Sequence, residues 1–133
     1  MSGLVLKLAP RERVLINGAV IENGDRRGRL NILSRDVSIL RLRDAIHPEE
    51  RTTPVRRLCY AVQLVLTGDA DLEEMRRTLE RDIGQIGQVL SDATSSTTIA
   101  KALTALTEDK PYYVLKHLRS LLPHEAALLR DPV

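Results

Sequence analysis

A chain of 133 residues and 14.9 kDa has room for one core, so it holds one domain, or a small β unit fused to a helical unit, and no second catalytic domain. Its net charge of +2 hides a polarity: residues 1–57 carry twelve Lys or Arg against seven Asp or Glu, a net +5, while residues 58–133 carry −3. Tyr60, Tyr112 and Tyr113 are the only aromatic residues, so Leu, Ile, Val and Ala must build the core, and no apolar stretch approaches the ~20 residues of a membrane span.

Five short aliphatic segments open the chain, at residues 4–8, 14–16, 19–21, 29–33 and 37–40, separated by turn residues. They predict the strands of a small antiparallel sheet or barrel. Asn17-Gly18 and Asn23-Gly24 both tolerate the positive φ of a tight hairpin, so the chain should fold back at one or the other. Arg29-Leu30-Asn31-Ile32 and Leu40-Arg41-Leu42-Arg43 alternate with period two, which predicts strands with one solvated, partly basic face.

Pro48 ends the β section, and Thr53-Pro54 reads as an N-cap followed by proline at the first helical position. A first helix is expected over residues 54–66, closed by Thr67-Gly68. Asp69 and Asp71 introduce a long amphipathic helix, whose apolar positions Leu72, Met75, Leu79, Ile83, Ile86 and Leu90 recur at steps of three and four. Gly84 and Gly87 lie inside it, where their expected role is to let another helix approach closely. Residues 91–98 read as a polar loop. Ile99, Leu103 and Leu106 mark a third helix, and Val114, Leu118, Leu121 and Leu122 a fourth, entered at Lys110-Pro111 and ended or kinked at Pro123; residues 124–129 add a final turn. The expected fold is α+β: a β unit over residues 1–50 carrying a basic hairpin, then a bundle of about four helices over residues 51–133, packed as one compact protein.

Catalytic chemistry finds little support. His47, His117 and His124 have no metal-ligand spacing with each other or with Cys59, and no metalloprotease, phosphate-loop, dinucleotide or nucleophile-elbow signature occurs. Glu73 and Glu74 point about 100° apart on a helix and should both face water. The lone Cys59, in an apolar run, reads as a buried inert thiol. No enzyme, cofactor or metal is expected. The opening residues lack the basic and long apolar segments of a signal peptide, which predicts a reducing, cytoplasmic setting.

The arginines carry the functional signal. Eleven of the twelve cations in residues 1–57 are arginine, whose planar fork matches phosphate oxygens bidentately and stays charged near neutral pH. Asn23-Gly24-Asp25-Arg26-Arg27-Gly28-Arg29 is the first candidate phosphate reader; the plainer alternative is a solvated turn whose Asp25 pairs with a neighbouring arginine. The second is Arg51, Thr53, Arg56 and Arg57, at the start of the first helix. There two arginines oppose the positive end of the macrodipole unless an anion compensates them; either phosphate or a carboxylate from Glu49 or Glu50 would serve. With no aromatic residue in residues 1–57, base recognition would fall to guanidinium planes and to Asn17, Asn23 and Asn31.

Leu6-Lys7-Leu8-Ala9-Pro10-Arg11-Glu12, the run from Leu15 to Arg27, and the run from Pro48 to Arg57, taken in order, resemble the FlbT family of flagellin-expression regulators. The resemblance runs from end to end and is densest in the first half. It implies post-transcriptional control of flagellin through binding of the 5′ untranslated leader of its mRNA, with altered stability or translation of the message. It also implies a helical companion, FlaF, or flagellin itself as a protein partner; the apolar faces at Leu72/Met75/Leu79 and Ile99/Leu103/Leu106 would either pack on each other or dock that partner. A homodimer would draw on the free edge of the first strand or a seam along the long helix.

Overall fold

The computed structural model describes residues 3–34 and 37–130, so the outer limits of both expected units, at 1 and 133, lie outside the described residues. Five strands come first: β1 (Leu4–Leu8), β2 (Arg13–Ile16), β3 (Ala19–Glu22), β4 (Gly28–Ile32) and β5 (Ile39–Arg41). They form two antiparallel sheets, β1 with β4 and β3-β2-β5, rather than one. Leu6, Leu8, Val14 and Ile39 are buried between the sheets, with Leu4, Ile16, Leu30 and Ile32 packed around them. The fold is α+β, as expected.

The hairpin turns at Asn17-Gly18. Asn17 and Gly18 take φ of 48° and 85°, the paired positive values that let a two-residue turn match the twist of its strands. Asn23-Gly24 makes no hairpin: Asn23 N–H donates to Glu12 O (2.8 Å) and Arg11 N–H to Gly24 O (2.9 Å), so pairing with the β2 side continues past β3 before the chain crosses to the other sheet. Alternation in residues 40–43 also overstates the last strand. Only Ile39–Arg41 pairs, and Leu42–Asp44 winds into a 3-10 turn.

Five helices follow: α1 (Pro54–Leu66), α2 (Leu72–Val89), α3 (Ala93–Thr107), α4 (Pro111–Arg119) and α5 (Leu122–Arg130). The polar run at 91–98 is not a loop but the start of α3. Asp92 caps it by accepting from Ser95 N–H (3.0 Å), and the Thr97 and Thr98 hydroxyls donate to carbonyls one turn back, at Ala93 and Thr94 (3.0 Å each). Hydroxyl-rich composition mimics a loop, yet these two threonine hydroxyls are satisfied within the helix. Pro123 starts α5 instead of ending α4, occupying the first turn where its missing N–H costs nothing.

The helical core gathers Val55, Leu58, Cys59, Val62, Leu66, Leu79, Ile83, Ile99, Leu106, Val114, Leu118 and Leu121, with Leu72, Met75 and Leu103 packed against it. The faces considered for a partner helix are thus spent on each other. Neither glycine of α2 is required for a close approach: an added Cβ at Gly87 would make only ordinary contact with the Ile99 methyls at 3.6 Å, and Gly84 faces open space. The strand β5 joins the two cores: Ile39 faces the β cluster, while Leu40, on its other face, is buried with the helices. Gln63 of α1 reinforces the join, accepting from Ile46 N–H (2.6 Å) and donating to Ile46 O (3.0 Å).

Candidate nucleic-acid interface

The two-stranded sheet sets the geometry. Its register pairs Leu6 with Leu30, Lys7 with Arg29 and Leu8 with Gly28. Because side chains alternate, the leucines point into the core while Val5, Lys7, Arg29 and Asn31 are exposed on the outer face. Arg26 and Arg27, also exposed, sit in the turn that feeds β4. The first candidate cluster is therefore one surface, and it includes Lys7, which residue-by-residue reading of the sequence passed over because its partner is twenty-two positions away.

Asn23 braces that surface rather than contributing a free reading group. Its amide donates to Ala9 O (2.8 Å) and Arg26 O (2.9 Å) and more weakly to Leu8 O (3.4 Å), tying the arginine turn to the end of β1. Gly28 packs closely beside it: a Cβ there would stand 3.1 Å from Asn23 Oδ1, so a larger residue would press on the bracing amide. Gly24 is exposed with open space around its α-carbon.

Neighbouring carboxylates are spoken for elsewhere. Asp25 pairs with Arg11 (2.6 Å), and Glu22 pairs with Arg13 (2.9 Å) and Arg11 (3.6 Å). The Arg13 and Arg11 guanidiniums hold the Glu22 carboxyl below the usual carboxylate range. Among the described residues, Arg26, Arg27, Arg29 and Lys7 have no carboxylate within ion-pair distance.

Glu12 anchors the platform from within. Its side chain is 5% exposed and receives Arg41 Nε (2.7 Å) and Nη2 (2.8 Å), while its Oε1 accepts Ala9 N–H (2.9 Å). The Arg41 guanidinium lowers the carboxyl to about 2, against the opposing effect of burial. Arg41 also donates to the Lys7 carbonyl (2.5 Å), so one buried ion pair fastens β5 to β1 beneath Lys7. In the sequence Glu12 stood out only as the end of a motif, because its partner lies twenty-nine residues on.

The second cluster has a different fate. Thr53 caps α1 by accepting from Arg56 N–H (3.3 Å), but its hydroxyl also donates to Glu125 Oε1 (2.5 Å), and Val55 N–H donates to Glu125 Oε2 (2.9 Å). The compensating carboxylate comes from α5, seventy residues away, and not from Glu49 or Glu50; Glu50 instead accepts His47 N–H (2.8 Å) in a short 3-10 turn. Arg51 lies over the Tyr60 ring (5.0 Å) and donates to Pro48 O (2.9 Å). Arg56 and Arg57 are exposed, and Arg56 lines a cavity of about 170 Å³ with Arg119, Ile46 and Leu122.

Among the described residues, no group of three His, Cys, Asp or Glu side chains is placed to hold a metal ion. Cys59 is fully buried, and burial pushes its thiol up to about 12, which keeps it protonated and unreactive. Glu73 and Glu74 are both exposed, Glu73 pairing with Arg76 (2.6 Å). No helix among the described residues is long and apolar enough to cross a membrane.

With this geometry established, comparison with known proteins is informative. The family model described as flagellar protein FlbT matches residues 4–129. The chain belongs to the FlbT family. A probable flagellum biosynthesis repressor protein FlbT of Mesorhizobium japonicum is 31% identical over 95% of this chain and 84% of its own length. That of Caulobacter sp. (strain K31) is 43% identical over 53% of each chain, and the flagellum biosynthesis repressor protein FlbT of Caulobacter vibrioides is 39% identical over 53% of this chain and 50% of its own. The match thus spans about half the length of the Caulobacter relatives and most of the Mesorhizobium one. No solved structure matches. Within the FlbT chain described here, Lys7, Glu12, Arg41 and Glu125 are the residues that only the fold brings to the candidate surfaces.

Proposed function

We propose that this FlbT-family chain is a post-transcriptional regulator of flagellin synthesis that binds the 5′ untranslated leader of flagellin mRNA and alters its stability or translation. The regulatory part of the reading rests on the relatives, which are named flagellum biosynthesis repressors. The RNA part rests on one observation above others: Arg26, Arg27 and Arg29 are exposed on a braced turn and strand, and have no carboxylate partner among the described residues. A planar guanidinium fork loses less freedom per hydrogen bond than a flexible donor does, and each phosphate neutralised releases counterions. Arg56 and Arg57 extend the basic surface; Arg51 and Thr53, engaged with Tyr60 and Glu125, contribute less.

A titration of the purified protein with the flagellin leader RNA and with a scrambled RNA of equal length, at two salt concentrations, tests the reading. Direct regulation requires preference for the leader and an affinity that falls with salt by about 0.7 log per log for each phosphate contact. Equal, salt-insensitive or absent binding would move the function to protein contacts with a FlaF-like partner or flagellin. Leu128 and Leu129 of α5, 48% and 63% exposed, are the first apolar positions to mutate in that event.

A further inference from the structure

Lys7 and Arg29 are direct cross-strand partners on the outer face of β1 and β4, and both are exposed. Opposed residues in an antiparallel pair have Cβ atoms about 4.5–5.5 Å apart, and like charges so placed repel. The fold nevertheless fixes both ends of this pair. Arg41, itself held by Glu12, grips the Lys7 carbonyl at 2.5 Å, and Asn23 ties the turn before Arg29 to the end of β1. Two cations on paired strand positions whose backbone is fastened, with no carboxylate partner among the described residues, make a receptor for an anion that bridges them.

We propose that Lys7 and Arg29 form a phosphate clamp, and that the outer face of β1 and β4 is the track along which a single-stranded phosphodiester backbone runs. The inference rests on the RNA-binding reading above and adds to it a residue and a path. Arg26 and Arg27 lie at one end of the ladder, the clamp follows, and the Val5–Asn31 pair comes next, where an amide and an aliphatic surface stand beside the backbone path to meet a base edge and a base face. A repeating, evenly charged ligand fits cations spaced along a strand. An acidic protein segment is the competing occupant, and the test separates the two.

The decisive variant is Lys7→Glu, because stability and binding should move in opposite directions. Replacing repulsion by attraction across the ladder leaves the melting temperature at or above the wild-type value, while affinity for a fluorescent leader RNA falls at least about tenfold and the salt slope shrinks by about 0.7 or more. Lys7→Gln, which removes the charge without reversing it, should lose about threefold and guards against a folding defect in the first variant. A folded Lys7→Glu protein that binds RNA like the wild type overturns the clamp and leaves the proposed function standing. Wild-type protein that binds no RNA overturns both. Wild-type protein that prefers poly-glutamate to RNA, and loses that preference in Lys7→Glu, overturns the phosphodiester assignment.

Discussion

Two arginine clusters look alike in the sequence and differ in what the fold places beside them. Arg26, Arg27 and Arg29 stand on the β side with nearby acids drawn off to Arg11 and Arg13. Arg51, Arg56 and Arg57 surround a helix start whose anion site is already filled by Glu125. Glu125 fills the anion site of the helix start, while Arg56 and Arg57 beside it have no carboxylate within ion-pair distance among the described residues. The difference ranks the two surfaces for phosphate, and it can be attacked from several directions.

Breaking the brace under the first surface should have the largest effect. Glu12→Gln leaves the Arg41 charge largely buried without its partner and should cost about 3 kcal/mol in urea denaturation, while loosening the backbone at Lys7. The same carboxyl sets an acid limb. Its pKa is lowered on folding from 4.5 to about 2, so its contribution, on the order of 2–3 kcal/mol, is complete above pH 4.5 and is lost as the pH falls toward 2. That limb of the stability profile should flatten in Glu12→Gln.

Emptying the second surface should matter next. Glu125→Ala removes the acceptor for the Thr53 hydroxyl and Val55 N–H, and should lower stability by about 2 kcal/mol. It should also raise affinity for inorganic phosphate at the start of α1, which wild-type protein resists; phosphate-dependent melting of the two proteins measures it. No difference between them would mean that Glu125 does not stand in for an anion.

The comparison itself is tested by two double variants. Arg26→Ala with Arg27→Ala should weaken leader binding about tenfold or more with the melting temperature nearly unchanged, because neither side chain is paired among the described residues. Arg56→Ala with Arg57→Ala should weaken it less, by about threefold. A reversed order would make the helix start the principal surface. The smallest effect belongs to a control: Gly84→Ala meets open space within α2 and should stabilise by about 0.5–1 kcal/mol without touching RNA affinity, which separates binding from stability.

Much of the fold was legible before any coordinates. Asn17-Gly18, Thr53-Pro54, Lys110-Pro111 and the apolar steps from Leu72 to Leu90 each produced the element they signal. These features succeed because their causes are local: positive φ at glycine, a missing N–H at proline, side chains returning every three or four residues. Misreadings arose where a local cue was overridden by satisfaction from nearby groups. Residues 91–98 looked like a loop until the Thr97 and Thr98 hydroxyls found carbonyls within α3, and Asn23-Gly24 looked like a turn until the Asn23 amide found the carbonyls of Leu8, Ala9 and Arg26.

Sequence alone determined that residues 1–57 are basic, that arginine dominates there, that no aromatic platform accompanies it and that β structure precedes helix. Tertiary structure decided which cations stay uncompensated. Lys7 meets Arg29 through strand register, Glu12 meets Arg41 across twenty-nine residues, and Glu125 meets the start of α1 across seventy. Charge is a property of composition, but its neutralisation depends on distances of a few ångströms, and the chain sets those only when it folds.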